Sequence, residues 1–320
     1  MHTACIPASA AGQRFDRTLA ALFDDYSRSC LQQWIRDGRV LLDGTIASPR
    51  HKLRGGERVE LRPPEPAGGG DVAAQPIPLL VLHEDADIAV IDKPAGLVMH
   101  PAAGNPDGTV QNALLHRYPE AAAVPRAGIV HRLDKDTSGL FVVARTLAAH
   151  KSLVAQLAAR TVSREYRAVC LGVPVAGERI AAPIGRHPVD RKRMAVVANG
   201  REAISRFRVL ERFAAHALLA VALETGRTHQ IRVHLSHRQH PLVGDPVYAG
   251  RLRIPAGCSD ALRAALRQFP RQALHAAELK LQHPRSGASM RFSAPLPDDF
   301  QALLTALRAD GDGRAAGAAR

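Results

Sequence analysis

A chain of 320 residues, 46% of them hydrophobic, has enough apolar mass for an ordinary packed core; this excludes a wholly disordered chain and allows one large domain with a smaller companion. Forty-three Lys and Arg against 30 Asp and Glu leave a net charge of +13, a field that attracts a polyanion, of which nucleic acid is the commonest. No run approaches the roughly 18 apolar residues of a membrane span, the N-terminus lacks a basic stretch followed by an apolar one, and Cys5, Cys30, Cys170 and Cys258 have neither CxxC nor disulfide-like spacing, so a soluble cytoplasmic protein with reduced thiols is expected.

Residues 1–14 read as an N-terminal extension. Asp16 can cap a helix whose Leu19, Leu22 and Phe23 share a face, and Ser27 a second carrying Leu31, Trp34 and Ile35 at the same spacing. Gly38 stops that helix, Val40–Leu42 reads as a strand, Asp43-Gly44 as a tight turn and Arg58–Leu61 as a closing strand. Arg28, Arg36, Arg39, Arg50, Lys52 and Arg54 flank the second helix and the hairpin, where they can meet phosphates. A solvated helical hairpin with ordinary surface arginines is the alternative.

The run PPEPAGGG at 63–70 combines stiff proline with free glycine, so 63–76 reads as a linker. Beyond it, Leu79–Leu82, Ile88–Ile91, Leu140–Ala144, Tyr166–Leu171 and Leu218–Leu223 are short apolar runs bounded by turn residues and read as strands. Helical stretches are expected around Val110–His116, Ala148–Arg160 and His229–His237. The irregular alternation predicts an α+β domain over 77–308 with a mixed, mostly antiparallel sheet. The tail 309–320 offers no large apolar anchor and is expected to be disordered. No GxGxxG or GxxxxGK[ST] is present, so no dinucleotide or NTP cofactor is expected.

Three clusters can carry chemistry. In GIVHRLDKDTSGL (128–140), Asp134 has Arg132 and Lys135 beside it, and neighbouring cations keep a carboxylate ionised and able to attack an electrophilic carbon. The same run can be a polar β-turn in which Asp134 or Asp136 caps amides. In REYRA (164–168), Tyr166 is either a strand tyrosine packed into the core or an aromatic face for a flipped base. In ETGRTHQIRVH (224–234), Arg232 can bind both oxygens of a carboxylate. His229, His234, His237 and His240 lack metal-ligand spacing, and no metal is expected.

HRLDKDTSGL, REYxA and TGRTHQIRVH resemble the signatures of the RluA-type pseudouridine synthases, and residues 15–62, through SRSCLQQWIRDGRVLLDG and KLRGGERVEL, resemble the S4-type (αL) RNA-binding module. DKPAGLVMHP (92–101), RHPVDRKRMAV (186–196) and HPLVGDPVYAG (240–250) extend the resemblance over about 79–308. It implies Asp134 as nucleophile, Arg232 as its partner, and Tyr166 stacking on the target base and assisting proton transfer. Ile231 would pack against that ring, Arg132 would enter the RNA stack, and His131, Lys135 and Thr137 would line the substrate. Lys93, Pro94, Arg186, His187 and Lys192 become candidates for RNA contacts. The implied activity is conversion of uridine to pseudouridine in 23S ribosomal RNA, in the helix 69 stem-loop, by a monomer without a cofactor. A non-catalytic RNA-binding or ribosome-assembly factor is the alternative.

Overall fold

The computed structural model describes residues 2–23, 28–62, 72–102, 104–190 and 193–318. The N-terminal module contains β1 (His2–Cys5), α1 (Phe15–Leu22), α2 (Arg28–Arg36), β2 (Val40–Leu42) and β3 (Arg58–Leu61). Its antiparallel sheet runs β1-β3-β2. Phe15 and Leu19 of α1 and Leu31 and Ile35 of α2 bury fully against Val40, Val59 and Leu61, the helical stripe meeting the inward face of the strands.

Two expectations are corrected here. Part of segment 1–14 belongs to the module: β1 adds an edge strand to β3 and Ile6 sits in the core. Asp16 does not cap α1, whose N-cap is Arg14. Its buried carboxylate accepts hydrogen bonds from Arg14, Arg28 and Gln32. Burial pushes this carboxyl up, but the bonds from Arg14, Gln32 and Arg28 outweigh it and bring it down to about 2. Arg28 is thereby engaged inside the module, whereas Arg36, Arg39, Arg50, Lys52 and Arg54 are exposed. Ser27 lies outside the described residues, as do 63–71 of the expected linker. Residues 72–76 pack onto the larger domain, where Asn112 Nδ2 donates to the Ala73 carbonyl at 2.8 Å.

The larger domain is built on one sheet from β4 (Leu80–Glu84), β5 (Ile88–Lys93), β6 (Ser138–Ala144), β7 (Ser163–Leu171), β8 (Glu178–Ala181), β11 (Ile204–Arg212), β12 (His216–Leu223), β13 (Leu274–Gln282) and β14 (Ser289–Ser293). Their order is β4-β5-β6-β13-β7-β12-β11-β8, with β14 paired to β13. All pairings are antiparallel except β6 with β13. A two-stranded pair, β9 (Ile184–Arg186) with β10 (Met194–Val196), completes the strands among the described residues.

Both faces are covered, which explains the near-continuous apolar runs. In β6, Phe141 and Val143 join the core shared with α3 (Val110–Arg117) and α5 (Gln230–His237). Leu140 and Val142 join the one under α4 (Leu147–Ala158). Val169, Leu171 and Leu218 pack beneath α6 (Asp260–Gln268) and α7 (Asp298–Ala318). The parallel approach of β6 to β13 requires Gly139: its φ is 110°, and a Cβ there would stand 2.3 Å from the Ala276 carbonyl oxygen.

The expected disordered tail is a further correction, since α7 continues through Ala318. Phe300, Leu303, Leu304 and Leu307 anchor its first turns, and buried Asp310 accepts from the Ser259 N–H at the start of α6, at 2.6 Å. The alanines beyond continue a helix already nucleated by packing.

Candidate active site

The loop before β6 carries Asp134 to the mouth of a pocket whose opposite side is the first turn of α5. A turn closed by Thr137 N–H to the Asp134 carbonyl, 3.1 Å, shapes this loop. Lys93 holds it from below: completely buried, its Nζ donates to the carbonyls of Pro94, Leu97 and Lys135 at 2.7, 2.9 and 2.9 Å. Burial pushes this ammonium down to about 7, partly countered by Asp136 and Asp134. Lys93, expected to contact RNA, is thus a buttress of the Asp134 loop. Its charge is satisfied by carbonyl dipoles that no local pattern reveals.

Asp134 is 15% exposed at its side chain, and its Oδ2 accepts from Arg232 Nη1 at 3.1 Å. The other edge of Arg232 grips buried Asp245 through Nε and Nη2, at 2.8 and 2.9 Å. Asp245 is fixed in turn by the N–H groups of Val247 and Tyr248, at 2.9 and 3.0 Å. Burial pushes the guanidinium down, but Asp245 and Asp134 push it above its ordinary value, so Arg232 stays charged.

His229 lies on the other side of the carboxylate. It adopts the left-handed conformation, φ 57°, at the N-terminus of α5, which turns Nε2 to 4.0 Å from Asp134 Oδ1. Its Nδ1 lies 2.9 Å from the Tyr248 hydroxyl, which also accepts from Met194 N–H at 3.0 Å. Burial pushes the imidazole down, against the pull of Asp134.

The wall of the pocket is Tyr166, Ile231, Leu133, Leu223 and Leu274. Tyr166 is 4% exposed, and its hydroxyl has no hydrogen-bond partner among the described residues. Burial lifts its pKa, with Arg164 opposing and Asp134 adding to the rise, so the hydroxyl is a neutral donor. The pocket thus combines an aromatic side chain, an aliphatic one and an anchored carboxylate.

The remaining expected residues divide. Arg132 is exposed at the rim, and Thr137 is buried at the pocket with Oγ1 accepting from Gln272 Nε2 at 3.1 Å. Lys135 is exposed, its carbonyl engaged by Lys93. His131 faces an adjoining cleft instead of the Asp134 pocket, because its Nε2 accepts from the Val142 N–H at 3.2 Å. Arg186 and Pro94 are exposed, His187 caps a local turn by accepting from the N–H groups of Val189 and Asp190, and Lys192 lies outside the described residues. Asp245, Tyr248 and His229 have site roles that sequence reasoning missed. The Asp-Pro-Val-Tyr string at 245–248 was visible, but what it grips lies far away in the chain.

A family model described as RNA pseudouridylate synthase matches residues 87–237, and one described as S4 domain matches residues 13–59. Ribosomal large subunit pseudouridine synthase D of Xanthomonas campestris pv. campestris is 57% identical over 320 residues, covering 100% of this chain and 96% of its own. The protein of the same description from Escherichia coli (strain K12) is 52% identical over 309 residues, 96% of this chain and 94% of its own. A solved structure, Human RNA Pseudouridylate Synthase Domain Containing 4, aligns with a TM-score of 0.56 at 26% identity, covering 72% of this chain and 93% of that one. With this similarity running through the Asp134 loop, the strand of Tyr166 and the helix of Arg232, the chain belongs to the RNA pseudouridylate synthase family.

Proposed function

We propose that this protein converts uridines to pseudouridine in 23S ribosomal RNA, in the helix 69 stem-loop, with Asp134 as the nucleophilic carboxylate. The observation that carries the reading is the chain Asp245–Arg232–Asp134, which presents one carboxylate beside the ring of Tyr166. The substrate assignment follows the relatives described as ribosomal large subunit synthases, which match along nearly the whole chain.

The reaction breaks the bond from ribose C1′ to uracil N1, turns the base, and joins C1′ to C5. C5 loses a proton and N1 gains one, so no redox step or energy input is needed. Arg132 at the rim helps displace the target nucleotide, and Tyr166 stacks on the flipped base, recovering part of its unstacking cost of a few kcal/mol. Asp134, held by Arg232, opens the glycosidic bond. The Tyr166 hydroxyl, neutral and unpartnered, assists proton transfer. Arg36, Arg39, Lys52 and Arg54 of the N-terminal module grip phosphates, and the protein acts as a cytoplasmic monomer.

Mapping pseudouridines in 23S rRNA from a strain lacking this gene tests the substrate. Loss of pseudouridine from helix 69, restored by the intact gene, is expected. An unmodified helix 69 in the parent strain, or an unchanged pattern after deletion, refutes it.

A further inference from the structure

Beside the Asp134 pocket a second cleft, of about 410 Å³, opens between the loop before β6, the end of α4 and the turn before α5. Arg126, Arg132, Arg160, Arg164 and Arg227 line it, and Arg132 also lines the Asp134 pocket. The lining carboxylate, Glu224, is already held by Arg179 and Arg206, at 3.2 and 2.7 Å.

Arg164 is the unusual member. It is 8% exposed, yet among the described residues its guanidinium has no carboxylate and no hydrogen-bond acceptor, and its Nε is buried without a partner. An arginine cannot escape burial by losing its proton, so an uncompensated guanidinium is retained at a cost to stability. Gly226 makes room for it, since a Cβ at that position would lie 2.9 Å from Arg164 Nη1. His131 offers a second unsatisfied donor in the same lining. Its Nε2 accepts from Val142, which leaves the proton of the neutral ring on a buried, unpartnered Nδ1. Burial and the Arg164 charge push this imidazole down to about 3, so it stays neutral. At the rim, Arg126 and Ala127 hold φ of 55° and 51°, left-handed values that side chains rarely adopt.

Arg164 and Tyr166 are two apart on β7, on one face of the sheet and about 7 Å from each other along the strand. The backbone of a nucleotide whose base lies on Tyr166 is then within reach of Arg164. We propose that the cleft is a phosphodiester seat in which Arg164, flanked by Arg132 and Arg227, takes the RNA phosphate adjoining the target uridine. This inference rests on the reading of the chain as a synthase acting on 23S rRNA.

The test uses the full chain and a 23S rRNA transcript carrying tritium at uracil C5, following tritium release and, separately, RNA binding as a function of salt. Arg164→Gln should raise KM about tenfold or more, as loss of a charge-assisted hydrogen bond does, with kcat within about threefold because the carboxylate of Asp134 is untouched. The slope of log K against log salt should fall by about one. Arg164→Lys should keep the slope, and Arg267→Gln, exposed on α6, should change nothing. Folded Arg164→Gln with wild-type KM and slope overturns the seat. Should that variant fail to fold, Gly226→Ala decides, since its methyl displaces the guanidinium without removing the charge: a raised KM supports the seat and an unchanged one overturns it. A wild-type protein that binds the transcript but releases no tritium refutes the synthase reading instead, and the salt slope of Arg164→Gln then judges the seat alone.

Discussion

Arg232 divides its guanidinium between two carboxylates, gripping Asp245 with one edge and reaching Asp134 with the remaining nitrogen. Only a planar, permanently charged fork can do both, whereas lysine supplies one point of charge. Arg232→Lys is therefore expected to fold but to lower kcat by about 100-fold, the effect of misplacing a reacting group by roughly an ångström. Steady-state turnover on 23S rRNA within threefold of wild type would refute the positioning role. Asp245→Asn leaves the buried guanidinium with half its compensation and should destabilise the protein by about 3 kcal/mol, measured by urea unfolding. Asp134, Arg232 and Tyr166 were legible through their motifs. Asp245 was not, because its role depends on packing between α5 and the loop after it, and Lys93 misled because an intrinsically hydrophilic residue was satisfied entirely by carbonyls.

At the scale of elements, β4, β5, β6 and β12 and the helices α3, α4 and α5 coincide with the expected runs and periodicities within two residues, and β7 begins three residues earlier than its expected run. β1, β8, β9, β10, β11, β13 and β14 were not among the expected strands: the three- and four-residue ones are defined by their partners more than by their own pattern, and in β11 and β13 charged residues such as Arg206, Arg208, Glu278 and Lys280 interrupt the apolar run. Gly139 shows how such pairing is enforced. Replacing it with alanine sets a methyl against the Ala276 carbonyl at a φ that alanine resists, and a loss of about 3 kcal/mol or more is expected by thermal unfolding. In the N-terminal module, Trp34 is the single tryptophan and packs on the module's core, so its fluorescence reports that unit. The depressed pKa of Asp16 means that its stabilisation is present above the ordinary value of 3.8 and is lost as pH falls toward about 2. Asp16→Asn should weaken the module at pH 7 and should remove that acid dependence. A fluorescence transition with unchanged acid dependence in the variant would contradict the role of Asp16.

Across the whole molecule, the net charge of +13 was readable at once, but where the arginines converge was not. Arg126, Arg132, Arg160, Arg164 and Arg227 come from separate loops, helix ends and strands, and meet only through the sheet order. Charge gives attraction to any polyanion, and in the proposed reading the Asp134 pocket gives the chemistry. The two are separable by experiment, because Asp134→Asn removes one carboxylate at the pocket and leaves the basic surfaces intact. Tritium release from uracil C5 in 23S rRNA, measured alongside RNA affinity for this variant and the wild type, tests the account most directly. Release by the wild type, abolished in the variant with affinity retained within a few-fold, is the predicted result; release by the variant at a tenth of the wild-type rate or more would contradict it.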